Sequence, residues 1–207
     1  MTEEEWLNAA SPLAMLPCLV GPSERKLRLF AVACCHRIGL LIEHPDSIRA
    51  VEVAGRYAEG CSTADELRDA CRAADAHFTT TCVYGTSTGD QAARAAVAAS
   101  ADAGDMIRLH CLSFRMFGDE DLAANANLLR DIFPFHPITI DPRWLTTTVL
   151  SLAKGMYESR DFSAMPILAD ALQDAGCDND DILAHCRDAA QVHVRGCWVV
   201  DLVLARE

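Results

Sequence analysis

Ser23-Glu24-Arg25-Lys26-Leu27-Arg28-Leu29-Phe30-Ala31-Val32-Ala33-Cys34-Cys35-His36-Arg37-Ile38-Gly39-Leu40-Leu41-Ile42 is the stretch whose reading decides the fold. Its apolar positions Leu27, Ala31, Cys34, Ile38, Leu41 and Ile42 return every three or four residues, the spacing of one buried helix face and not the alternation of a strand. Gly21-Pro22 breaks the chain before it. His44-Pro45 is expected to end it, because a residue preceding proline avoids helical geometry. Arg28, His36 and Arg37 interrupt the run, which is too short and too charged to span a bilayer.

The same spacing extends outward in both directions. Thr2-x-x-Glu5 is a capping box for a short helix reaching Ala9, and Ser11-Pro12 offers a second N-cap with proline at the first helical position. After the central helix, Asp46 or Ser47 is expected to cap a helix with the stripe Ile48, Val51, Ala54, Tyr57 and Ala58, ending at Gly60. Ser62-x-x-Asp65 and Thr63-x-x-Glu66 overlap as caps for the next, with Leu67, Ala70, Cys71 and Ala74 inward. The threonine-, serine- and glycine-rich residues 79–89 predict a loop, and further helices follow over 90–101, 105–117 and 119–133. Pro134, Pro137 and Pro142 make 134–142 an extended connector between sub-lobes 1–133 and 143–207. Beyond it, helices are expected over 145–159, 163–175, 180–187 and 193–206, with Gly176 at a C-cap. The fold class is therefore all-α: a compact multi-helix bundle of about ten helices, forming one globular domain of two lobes.

Composition agrees. Of the 207 residues, 51% are hydrophobic and 23% charged, enough apolar surface to build a core without disulfides. Aromatics are only 6% and alanines come in runs, which favours close helix packing over sheets. The net charge of −12 disfavours nucleic acid, whose binders carry a basic footprint. The acidic start Met1-Thr2-Glu3-Glu4-Glu5-Trp6 is wrong for a secretory signal, so a cytoplasmic location is expected, with no membrane partner. The ten cysteines are then expected reduced, and mostly packed as small hydrophobes.

Several stretches resemble a group of uncharacterised helical proteins abundant in planctomycetes of the Gemmata type. They are Met1-Thr2-Glu3-x-Glu5-Trp6-Leu7, Lys26 through Cys35, Leu129-Arg130-Asp131-Ile132-Phe133, Asp141-Pro142-x-Trp144-Leu145, Pro166-Ile167-Leu168-Ala169-Asp170-Ala171-Leu172 and His193-Val194-Arg195-Gly196-Cys197-Trp198-Val199-Val200-Asp201. Where that group carries a Trp-Asn-Asp-Gly-Thr type turn, this chain has Thr146-Thr147-Thr148. The resemblance implies a lineage and no mechanism.

The densest set of potential metal ligands is C-terminal: Cys177, His185, Cys186, His193 and Cys197. On a helix, His193 and Cys197 would share a face, and a helical hairpin could return His185 and Cys186 toward them. Zinc takes four nitrogen or sulfur ligands in a tetrahedron, so His185, Cys186, His193 and Cys197 are the candidate ligands, with Asp201 one turn on as a further ligand or supporting partner. The competing reading is core packing, since no Cys-x-x-Cys pair occurs and Val199, Val200, Leu202 and Val203 mark a buried helix. Cys34-Cys35-His36 reads as core packing, because adjacent helical residues point about 100° apart and do not readily chelate together. The alternative is a thiol made reactive by His36-Arg37, and His110-Cys111 leaves the same two readings open.

Arg195 and Trp198 are residue types frequent at binding hot spots and are the candidate interaction residues. The alternative is a tryptophan anchoring the last helix in the core, with the arginine neutralising a helix C-terminus or pairing with Asp201. Nucleophile elbows, phosphate loops and His-Glu-x-x-His are missing, so no catalytic residue is assigned. The expected function is a helical protein-interaction module without catalysis, binding another protein or itself. The alternative is a zinc- or thiol-dependent protein centred on the C-terminal hairpin. Nothing demands a cofactor, and zinc is the one the candidate ligands would take.

Overall fold

The computed structural model describes residues 1–81 and 119–206, and among these every regular element is helical, with no strand. They fall into two compact units, Met1–Leu129 and Arg130–Glu207. None of the described helices is long and apolar enough to cross a membrane.

In the first unit, α1 (Glu3–Asn8) begins with the Thr2/Glu5 capping box and α2 (Pro12–Met15) with the Ser11 cap. The central helix α3 (Glu24–Arg37) packs against α4 (Pro45–Ala58), and α4 against α5 (Ala64–Thr81). Leu27 through Cys35 are buried without a break, so α3 has apolar neighbours on all sides and not along one stripe. Even Arg28 is buried, its guanidinium bonded to Glu24 at 2.5 Å and 5.0 Å from the Tyr57 ring centre.

Several boundaries differ from expectation. α3 stops at Arg37, and Gly39–Leu41 forms a 3-10 turn before the proline is reached. The cap of α4 is His44, whose Nδ1 accepts the Asp46 amide at 3.3 Å, because Pro45 occupies the first helical position and leaves Asp46 and Ser47 inside the first turn. The Thr63/Glu66 capping box starts α5 as expected, but α5 continues through Thr81. The rest of the expected 79–89 loop, the expected helices over 90–101 and 105–117, and His110-Cys111 lie outside the described residues.

The helix α6 (Asp119–Ile132) carries the division between the units, so Asp131 and Ile132 belong to the second. The residues after it pack on the second unit's core through Ile138 and Ile140. That core is built by α7 (Thr147–Ser159), α8 (Met165–Asp174), α9 (Asp180–Arg187) and α10 (Trp198–Val203). α8 packs on α7 and α9, and α10 meets both α7 and α9. Gly176, at φ 93, closes α8 in a Schellman motif: its amide bonds to the Gln173 carbonyl and that of Cys177 to Leu172, both at 2.9 Å. Cys177 is thereby turned into the core. Arg187 ties α9 back to α8 through Asp170 at 2.9 Å and Gln173 at 2.6 Å.

α7 ends on Arg160 in the left-handed conformation, φ 61 and ψ 19, a position that favours glycine. Arg160→Gly is expected to stabilise the protein by about 0.5 kcal/mol, the relieved strain less the extra freedom of glycine in the unfolded chain. Denaturant unfolding checks it: the midpoint rises with an unchanged slope.

Candidate metal centre

Three separate pieces of chain supply the site. Asp131 lies in the last turn of α6 between buried Leu128, Leu129 and Ile132, and is itself wholly buried. His185 lies in the last turn of α9, which Asn179 caps at 3.0 Å and which is anchored by buried Ile182, Leu183 and Cys186. The chain then folds back over residues 188–197. Asp188 starts the return by accepting the amides of Ala190 and Gln191 at 2.9 and 3.1 Å. The Val194 amide donates to Asp131 Oδ2 at 2.8 Å, and a turn through Gly196 at φ 94 brings the Cys197 amide onto the Val194 carbonyl at 2.9 Å. His193 and Cys197 thus precede α10 and approach through a turn, not along one helix face as the sequence suggested. Gly196 supplies the reason: its positive φ cannot continue a helix.

One ligand atom each from Asp131, His185, His193 and Cys197 lies within 4.8 Å of all the others. His185 Nε2 stands 3.2 Å from Asp131 Oδ1 and 3.4 Å from Cys197 Sγ. His193 Nδ1 stands 2.7 Å from the same oxygen and 3.8 Å from the same sulfur. Each imidazole therefore turns a single nitrogen toward both the carboxylate and the thiol. A catalytic relay needs the opposite, with the acid on one ring nitrogen and the nucleophile on the other. For bond lengths near 2.0–2.3 Å, tetrahedral zinc separates its ligands by about 3.3 to 3.6 Å. Three of the four distances lie close to that range, while His193 and Asp131 stand closer, as a direct hydrogen bond would hold them.

Burial dominates the electrostatics. It acts to raise the Asp131 carboxyl, but hydrogen bonds from His185 and His193 overcome it and hold the group below the usual carboxylate range. Burial, and then the Asp131 charge, push the Cys197 thiol far up and that of Cys186 up to about 12. Burial raises Cys177 as well. None of the three is a thiolate at neutral pH unaided, so a nucleophilic role for them has no electrostatic support. A cation beside Cys197 Sγ would reverse that balance, because coordination removes the thiol proton.

The candidate ligands therefore separate. His185, His193 and Cys197 come together, whereas Cys186 turns into the hydrophobic core beside Leu183 and is not among the converging atoms. The helical position explains this: residues 185 and 186 point to different sides of α9. Asp201 is buried one turn into α10, outside the converging group. Trp198 is buried at the start of α10 and donates its indole N–H to His185 Nδ1 at 3.2 Å. Arg195 donates to the final carbonyls of α7, Tyr157 at 3.0 Å and Glu158 at 3.5 Å, where a cation offsets the helix dipole. Sequence reasoning missed Asp131, which lies 54 residues before His185. Its signal was an acid inside the apolar run Leu128-Leu129-Arg130-Asp131-Ile132-Phe133.

Asp131→Asn is expected to cost about 3 kcal/mol, the scale for breaking a buried charge network. Because the folded carboxyl is depressed, its contribution is full above the unfolded value of about 4 and is lost as pH falls through the lower folded value. Urea unfolding of chelator-treated protein checks this: the difference between wild type and variant is largest above pH ~4 and shrinks below it. In comparisons of the whole chain with known proteins, no family model, no curated protein and no solved structure matches.

Proposed function

We propose that the Arg130–Glu207 unit is a helical module stapled by one structural zinc ion, held by Asp131, His185, His193 and Cys197. The observation that carries this reading is the convergence of two imidazole nitrogens on one carboxylate oxygen and one thiol. A thiolate with two imidazoles and one carboxylate suits zinc, which accepts sulfur, nitrogen and oxygen in one tetrahedron. Four protein ligands in a buried centre leave no open coordination position, the arrangement of structural and not catalytic sites. The ion would join the end of α6, the end of α9 and the return before α10. Its role is to fix these segments, so that the unit works by presenting a rigid helical surface to another protein, without chemistry of its own.

Elemental analysis of protein purified without an affinity metal tests this. The expected result is one equivalent of zinc per chain, retained in Cys186→Ala and lost in Asp131→Ala and in the His193→Ala/Cys197→Ala double variant. Chelation is expected to lower the stability of the unit by about 4 kcal/mol or more, the linkage for zinc at a thousand times its Kd. A wild-type protein free of metal, or loss of zinc in Cys186→Ala with retention in Cys197→Ala, contradicts the assignment.

A further inference from the structure

The outer nitrogen of His185 faces an unexpected partner. A histidine that ligates a metal ordinarily carries its one remaining proton on the other ring nitrogen and donates it to a carboxylate, a carbonyl or water. Nδ1 of His185 instead meets the indole Nε1 of Trp198 at 3.2 Å, with the ring centroids 4.8 Å apart and tilted by 48°. The indole nitrogen can only donate. Its bond therefore requires Nδ1 to be an acceptor, which puts the proton of a neutral His185 on Nε2, facing Asp131 Oδ1 at 3.2 Å. Coordination through Nε2 requires the reverse, a lone pair at Nε2 and the proton on Nδ1, where two donors would then confront each other. For a neutral imidazole, the indole hydrogen bond and metal coordination at Nε2 exclude each other.

Resting on the zinc reading, we propose that Trp198 is a metal-responsive latch: zinc entering the centre breaks the Trp198–His185 hydrogen bond and shifts the indole, and removal of zinc restores it. The proton balance is closed within the ring and its surroundings. The Nε2 proton of His185 and the Nδ1 proton of His193, both facing Asp131 in the empty centre, are released as the metal bonds form. Each ring takes one up on its other nitrogen and stays neutral, and the Cys197 thiol proton leaves to solvent. Trp198 is the first residue of α10, and its ring is buried with Val199 and Val200 in the core of the unit. A displaced indole would be felt directly by the first turn of α10. Breaking the indole bond opposes metal binding, so Trp198 also tunes the affinity downward.

The test uses the full chain with 15N-labelled indole, chelator-treated and then given one equivalent of zinc, the Trp198 signal being assigned by its absence in Trp198→Phe. The expected result is that the Trp198 N–H signal moves on zinc addition and its exchange with water speeds up about tenfold, as the loss of one net hydrogen bond implies. Trp198→Phe is expected to bind zinc about three- to tenfold more tightly, a sign opposite to that of a residue serving only to pack the site. Zinc bound at one equivalent with the wild-type signal unmoved overturns the latch and leaves the zinc site standing. Failure of zinc to bind at all overturns both.

Discussion

The carboxylate of Asp131 is fully buried, and the second unit is arranged around the need to satisfy it. A bare carboxylate in a low-dielectric interior is costly unless donors surround it. Here the donors come from far along the chain: the His185 ring from α9, the His193 ring and the Val194 amide from the return segment. Once the end of α6 carries that charge inside, α9 must end where His185 can reach it, and the chain must double back before α10. The Gly196 turn and the Asp188 turn are the local devices that permit this reversal. Schellman closure of α8 and the Arg187 bonds then set α9 at the required place.

The chemistry of the centre follows from which atoms face inward. A buried thiol with its pKa driven up is an inert packing group beside a carboxylate alone, and a strong ligand beside a divalent cation. Two imidazoles that each present one nitrogen to both oxygen and sulfur bring four potential ligand atoms to one point, free to coordinate once their protons leave. Such a point has little use as a proton relay and suits a cation. Trp198 adds an opposing force from outside the ring of ligands, since its hydrogen bond favours the His185 tautomer that cannot coordinate. The centre thus holds two competing arrangements of one proton, and metal availability would choose between them.

The helical elements were legible because their signals are local. Thr2/Glu5, Ser11-Pro12, Thr63/Glu66 and Gly176 act through hydrogen bonds a few residues apart, and all four appear in the structure as the sequence implies. Boundaries failed where two local signals competed, as at Ile38–His44, where the chain left the helix before proline could end it. Three of the four converging side chains were legible from residue type and closeness in sequence. Cys186 looks like a ligand only because adjacency in sequence resembles adjacency in space, which on a helix it is not. Asp131 stands out only as an acid within an apolar run, and its partners cannot be read from the sequence, since a contact across 54 residues leaves no trace in local spacing. Val199 to Val203 make the helical pattern look continuous back to His193, and the turn at Gly196 interrupts it.

Zinc-edge X-ray absorption on the purified protein tests the central claim most directly, because it counts the atoms around the ion. A shell of one sulfur at about 2.3 Å and three nitrogen or oxygen atoms at about 2.0–2.1 Å is the predicted result. Two sulfurs in the shell, which would bring Cys186 to the ion in place of Asp131, or a shell of oxygen atoms alone, would contradict it.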